Sequence, residues 1–159
     1  MATVNRQPGK VYSSYTLLYF PEGSSQSFKK GEFVYLDSNG YLVVCPSDPP
    51  NIAGMALADA SGTQGTAIPI AVAEPGTRFV LNVYHSTASS AVTNKNQVGK
   101  KYGLYRDTSN YRHYVDLEDT SNTRLVVVDL YPGDSEGDQY GRLIVEVEDN
   151  YCQLSSTSS

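Results

Sequence analysis

The sequence predicts an all-β fold: a compact β-sandwich or small β-barrel with an extended N-terminal arm and little helix. Three observations carry this. First, Phe28–Val44 reads as a hairpin, with β-prone runs Glu32–Leu36 and Tyr41–Cys45 flanking Asp37-Ser38-Asn39-Gly40. Asn-Gly suits the positive φ of a type I′ turn or a G1 bulge. Phe33 and Tyr35 alternate with Val34 and Leu36, so both faces are apolar and the hairpin belongs inside a sandwich or barrel. Second, the chain divides into roughly eight to ten short β-prone runs at the spacing of such folds. Third, no amphipathic helix of standard length interrupts them.

Taken in order, residues 1–10 are polar, contain Pro8-Gly9 and read as an arm. Val11–Phe20 is aromatic and β-prone, fit either to be the first core strand or to reach a neighbouring subunit. Pro21–Ser27 is a turn, and Pro46–Pro50 is a rigid break. The small residues of Asn51–Ala58 suggest a strand in close contact with another backbone. Ala67–Ala73 is a short strand that Pro69 places at an edge or start. Glu74-Pro75-Gly76-Thr77 turns into the strand Arg78–His85. Residues 86–97 form a loop or one short helix starting near Thr93. A second hairpin runs from Val98, turns at Asp107–Asn110 and returns through Tyr111–Leu117, faintly echoing the first. Arg124–Leu130 and Leu143–Val147 are strands around the acidic loop Pro132–Gly141. The expected organisation is an arm and first strand over 1–27, a β-rich domain over 28–150 and a flexible Ser-rich tail over 151–159.

Composition narrows the function. The chain of 159 residues has a formal net charge of −5, thirteen Tyr and no Trp. No Lys/Arg cluster exceeds a pair (Lys29-Lys30, Lys100-Lys101), which argues against nucleic-acid binding. No apolar run approaches the ~20 residues that span a bilayer. Met1–Gln7 does not read as a signal peptide and there is no Asn-x-Ser/Thr sequon, so secretion by the usual route is not expected. Cys45 reads as a small buried hydrophobe and Cys152 as incidental.

Chemistry-bearing patterns are weak. His85 and His113 are the two histidines, and neither has a metal-ligand partner at diagnostic spacing. A spatial Ser-His-Asp site stays open, but no local nucleophile signature supports it. Asp134-Ser135-Glu136-Gly137-Asp138 invites a calcium reading, yet the twelfth position from Asp134 is Val145, not a bidentate Glu. No cofactor or metal is expected. The tyrosines Tyr12, Tyr15, Tyr19, Tyr84, Tyr102, Tyr105, Tyr111 and Tyr114 divide between core and a contact surface, which suits a protein interface. The residues describe a binding or structural module more readily than an enzyme.

The order of motifs resembles the head-decoration, or structural cement, proteins of tailed bacteriophages. The likeness rests on Lys30-Gly31…Val34…Leu36, Ile52–Leu57, Pro75-Gly76-Thr77-Arg78-Phe79, Val98-Gly99…Tyr102…Leu104, Val115-Asp116 and Gly141–Val147, and covers roughly residues 28–148. It implies a β-rich, non-enzymatic protein on the outer surface of the virion capsid. Such a protein commonly forms trimers and clamps neighbouring major capsid proteins against internal genome pressure. Carried to this chain, the resemblance implies that the arm grips the shell or an adjacent copy through Tyr12, Tyr15, Leu17 and Phe20. The alternative is another virion binding module, such as a glycan-binding tail or fibre component.

Overall fold

The computed structural model describes residues 6–155. Eleven strands follow in order: β1 (Lys10–Val11), β2 (Leu17–Pro21), β3 (Phe33–Leu36), β4 (Leu42–Val44), β5 (Gly54–Ala56), β6 (Ala67–Val72), β7 (Arg78–Tyr84), β8 (Lys101–Asp107), β9 (Arg112–Asp116), β10 (Leu125–Leu130) and β11 (Arg142–Val147). The helical content is three single 3₁₀ turns, at Ala88–Ser90, Lys95–Gln97 and Asp149–Tyr151. The protein is therefore all-β. Residues 86–97, legible only as loop or short helix, contain two of these turns, the second capped reciprocally by Asn94 and Gln97.

The strands form two sheets, and each curls on itself. The first has the order β2-β6-β5-β3-β4, and a parallel bridge between Glu22 and Leu42 joins its last strand to its first. The second runs β7-β11-β10-β8-β9, and a parallel pairing of β7 with β9 closes it, with β1 added to β7. The two rings share one connectivity. In each, the first strand pairs with the fifth, the fifth with the fourth, the fourth with the second, the second with the third, and the third returns parallel to the first. The echo between the hairpins at Asp37 and Asp107 thus marks equivalent places in two successive five-stranded barrels. Both turns use the same device. Asp37 Oδ1 accepts from the backbone of Asn39 and Tyr41, and Asp107 Oδ1 from Ser109 and Asn110. In the first turn Gly40 is left-handed (φ 84°), the G1-bulge solution and not type I′.

Strand alternation divides the core. In the first barrel Val34, Leu42, Ala56, Ile68, Ile70 and Val72 point inward around Phe28. The opposite face of the same strands, Phe33, Met55 and Ala71, joins a second cluster with Phe79, Leu81, Leu104, Val115, Leu125, Leu143 and Val145 of the second barrel. Phe33 meets Phe79 edge to face at 5.1 Å between centroids. This explains why the first hairpin is apolar on both faces: one lines its own barrel and the other is the seam.

Close backbone approach recurs inside the first barrel and at the seam. Gly54 packs on the Ala71–Val72 backbone so tightly that a Cβ would overlap the Ala71 carbonyl, as the small residues of 51–58 suggest. Gly9 sits where a Cβ would lie 2.6 Å from the Gly31 carbonyl oxygen and 2.8 Å from Met55. The N-terminal segment therefore crosses the junction as a strap. Tyr12 N donates to Arg78 O (2.8 Å) and Lys10 Nζ to the Tyr131 hydroxyl (2.6 Å). At the other end, Cys152 is buried and bridged to Ile52, and Gln153 bonds both backbone groups of Leu36. Cys152 is core, not incidental, and Tyr151–Ser155 pack where the sequence suggests a tail.

Pro69 is also placed differently from expectation: β6 is an interior strand, between β2 and β5. Leu57 N donates to Pro69 O at 2.9 Å, so the proline nitrogen faces the point where β5 ends and no ladder donor is required. Replacing Gly54 with Ala is expected to destabilise the protein by about 1–3 kcal/mol through overpacking at β5–β6. Urea denaturation measures this, and an unchanged midpoint would show that the two backbones can separate freely.

Candidate functional site

The residues expected to contact partners lie on and before β2. Its ladder has a definite sense. Val72 N donates to Thr16 O and Glu22 N to Thr66 O, so even-numbered residues direct their backbone groups at β6. Leu17 and Tyr19 direct theirs away from it. Among the described residues no strand pairs with that side of Leu17–Phe20; the barrel closes only beyond them, at Glu22. Leu17 and Tyr19 stand on the face that carries Ala71 and Met55 into the seam. The second barrel covers Ala71 and leaves Leu17 and Tyr19 uncovered.

The result is a stretch of chain, residues 12–19, rich in exposed large side chains, in which Leu18 has the opposite parity to Leu17 and Tyr19. Tyr12, Tyr15, Leu17, Leu18 and Tyr19 are all more than a third exposed, Tyr19 most at 60%. They make up most of the exposed large apolar side chains among the described residues, so this surface is singular in the molecule and not a sample of its average. Tyr12 packs edge-on to Tyr131 at 6.0 Å, which presents its ring in a fixed orientation. Of the expected contact residues, Tyr12, Tyr15 and Leu17 are exposed in this stretch. Phe20 is turned inward and packs against the first barrel's core, because alternation sets it opposite to Leu17 and Tyr19. Tyr19, one of the tyrosines expected to divide between core and contact surface, is exposed, and Leu18 is an exposed residue that sequence reasoning did not single out. The other tyrosines divide: Tyr102 and Tyr114 are buried, while Tyr84 and Tyr105 stack at 3.8 Å on the second barrel.

The histidines do not assemble a nucleophilic site. His85 Nδ1 accepts from Thr87 N (3.0 Å), and Ser86 Oγ donates to Glu118 (2.9 Å), not to the imidazole. His113 is enclosed in the seam. Its Nδ1 accepts from Phe33 N (3.1 Å) and its Nε2 donates to Cys45 O (2.9 Å), which fixes one neutral tautomer. Beside it the buried Glu32 takes Arg106 Nε at 2.9 Å and Lys29 N at 3.0 Å. Glu32 and Cys45 belong to the first barrel, Arg106 and His113 to the second, so this polar network ties the two together. The carboxylates of the 134–138 loop are already engaged. Asp134 pairs with Arg142 (2.7 Å), Glu136 accepts from Lys95 N (2.7 Å) and Asp138 from Ser135 N (3.0 Å). No group of three or more His, Cys, Asp or Glu among the described residues can hold a metal ion.

A second inter-barrel contact involves acid against acid. The Asp48 and Asp119 carboxyl groups hydrogen-bond to each other over Gly103, where a Cβ would overlap both. Asp48 Oδ1 also accepts from Leu104 N (2.9 Å). Desolvation, reinforced by Asp119, pushes the Asp48 pKa up to about 6, while the bond from Asp48 holds Asp119 low. Asp48 is the member that keeps a proton as pH falls below about 6, with Asp119 as its ionised acceptor.

No family model matches the chain, and neither a curated protein nor a solved structure matches it.

Two pH effects of opposite sign follow from the seam. Burial lowers the His113 pKa from 6.5 to about 3. Folding therefore holds this ring neutral, and its contribution is complete above pH 6.5. Below that, the unfolded chain takes up a proton that the folded one refuses, and stability falls by up to about 1.4 kcal/mol per pH unit. In His113→Gln the urea-derived stability should be lower at pH 7 and flatter between pH 7 and 4.5; an equally steep curve would place the acid sensitivity elsewhere. For Asp48 the folded pKa is raised, so its contribution is present below 3.8 and lost as pH rises through about 6. Asp48→Asn keeps a donor to Asp119 at every pH. Its melting temperature should gain on the wild type between pH 4 and 7, and a pH-independent difference would contradict a protonated Asp48.

Proposed function

We propose that this protein is a non-catalytic structural module that binds the outside of an assembled phage capsid and cements neighbouring major capsid proteins. The observation that carries this reading is the exposed Tyr and Leu row along the open side of β2. A strand edge with unpaired N–H and C=O groups accepts another extended segment, while flanking rings supply contact area at small entropic cost. Such an edge is a liability in a protein that works alone, and natural folds commonly cover or charge it. The likeness of the motif order to decoration proteins names the partner class. Multiple copies on a repeating lattice then stabilise the assembled shell by mass action, because each binds only the assembled state.

In this reading the strap over 6–16 is part of the scaffold. It lies along the molecule's own second barrel and aims the patch, with Tyr12 and Tyr15 held on the strap and Leu17 and Tyr19 on the strand it leads into. Binding outward of β2 adds partners without disturbing either barrel.

Co-sedimentation with assembled shells of the cognate major capsid protein tests this. The wild-type protein should pellet with shells and not with unassembled subunits. Leu17→Asp with Tyr19→Asp should weaken binding by about 100-fold, as loss of two anchor residues at roughly 1–2 kcal/mol each implies. Circular dichroism should show the fold retained, since both side chains face solvent. Undiminished binding by the folded double variant would remove the patch from the interface, and a wild-type protein that ignores shells would overturn the reading.

A further inference from the structure

The sequence contains no basic run longer than a pair, yet the fold gathers cations from four separate places. Lys10 of the strap, Lys29 and Lys30 before β3, Arg112 of β9 and Arg142 of β11 line one groove of about 500 Å³, which Asp59 also lines. The whole chain has 12 Lys and Arg and a net charge of −5, so this concentration runs against the overall charge.

Few carboxylates compensate it. Asp134 is committed to Arg142, at 2.7 Å and 2.9 Å. Asp59 lies 4.0 Å from Lys29 Nζ and accepts from Lys30 N. Asp134 also feels the charge of Lys10, so five cations of the groove face two carboxylates. Neutral groups orient the rest. Lys10 Nζ donates to the Tyr131 hydroxyl and lies 4.6 Å from that ring's centroid, and Lys29 lies 5.6 Å from that of Tyr111. Arg112 Nη1 donates to the carbonyls of Asn110 and Tyr111, and no other bond of its guanidinium is formed among the described residues. Tyrosine rings and carbonyls position charge without cancelling it.

We propose that this groove receives a short acidic segment of a partner protein. Arginine offers a planar fork that fits a carboxylate, and the lysines act as point charges along the groove. The confined volume suits a few residues of peptide. A long polyanion such as DNA would meet the chain's net negative field beyond the groove. The proposal depends on the groove alone and stands whether or not the partner is a capsid protein.

Fluorescence anisotropy with a labelled hexaglutamate peptide tests it, with inorganic phosphate and an oligodeoxythymidine of about 12 nucleotides in parallel. The peptide should bind with an affinity that falls as salt rises. Lys30→Glu with Arg112→Gln should weaken it at least about ten-fold. Lys95→Glu with Lys100→Glu, outside the groove, should change it less than about two-fold. If the first pair fails to fold, Lys10→Gln with Lys30→Gln serves in its place. No peptide binding, equal loss in the control pair, or tighter binding of the oligonucleotide or of phosphate would each overturn the proposal.

Discussion

The outer face of the first barrel is the constraint on which the rest depends. Phe33, Met55 and Ala71 cannot face water, and the second barrel supplies the apolar surface that covers them. Each barrel is small, and the shared cluster buries what neither encloses alone. The polar network at this seam adds specificity more than strength. Glu32 and Arg106 are both removed from water, and the desolvation of such a pair offsets much of its attraction. A slip in register would strand the carboxylate without its guanidinium and leave His113 without its two backbone partners. The seam therefore admits one arrangement of the barrels.

That arrangement decides what is left for partners. The face covered at Ala71 continues onto Leu17 and Tyr19, where coverage stops. The strap that crosses the junction at Gly9 also brings Lys10 beside Lys29 and Lys30. One side of the molecule thus presents an aromatic strand edge and another a basic groove, both generated by how two repeated barrels meet. Neither surface requires a bond to be made or broken. Both surfaces are the ones on which the proposed role rests.

Local features were legible in the sequence, and those made by distant strands were not. The first hairpin could be read because Asn39-Gly40 and the alternation around it are encoded within a few residues. The tight approach at Gly54 was visible in the run of small residues. Closure of each barrel was hidden, because it depends on parallel pairing of strands far apart, Glu22 with Leu42 and β7 with β9. The repeat survives as connectivity while its sequence signal is confined to the Asp37 and Asp107 turns. Pro69 misled because its missing donor coincides with the end of β5. Of the residues that the resemblance assigned to the arm's grip, Tyr12, Tyr15 and Leu17 are exposed. Phe20 was included by composition, although its parity sets it inward. The basic groove could not be found by scanning for runs, since its members come from strands that only the fold brings together.

The central claim is that an outside partner completes the open side of β2. Amide hydrogen exchange of the free and shell-bound protein measures this at single residues. The account predicts that the Leu17 and Tyr19 amides exchange rapidly in the free protein and become protected on shells, while Leu18, already bonded to β6, changes little. Rapid exchange at Leu17 and Tyr19 in protein that is demonstrably shell-bound would contradict it.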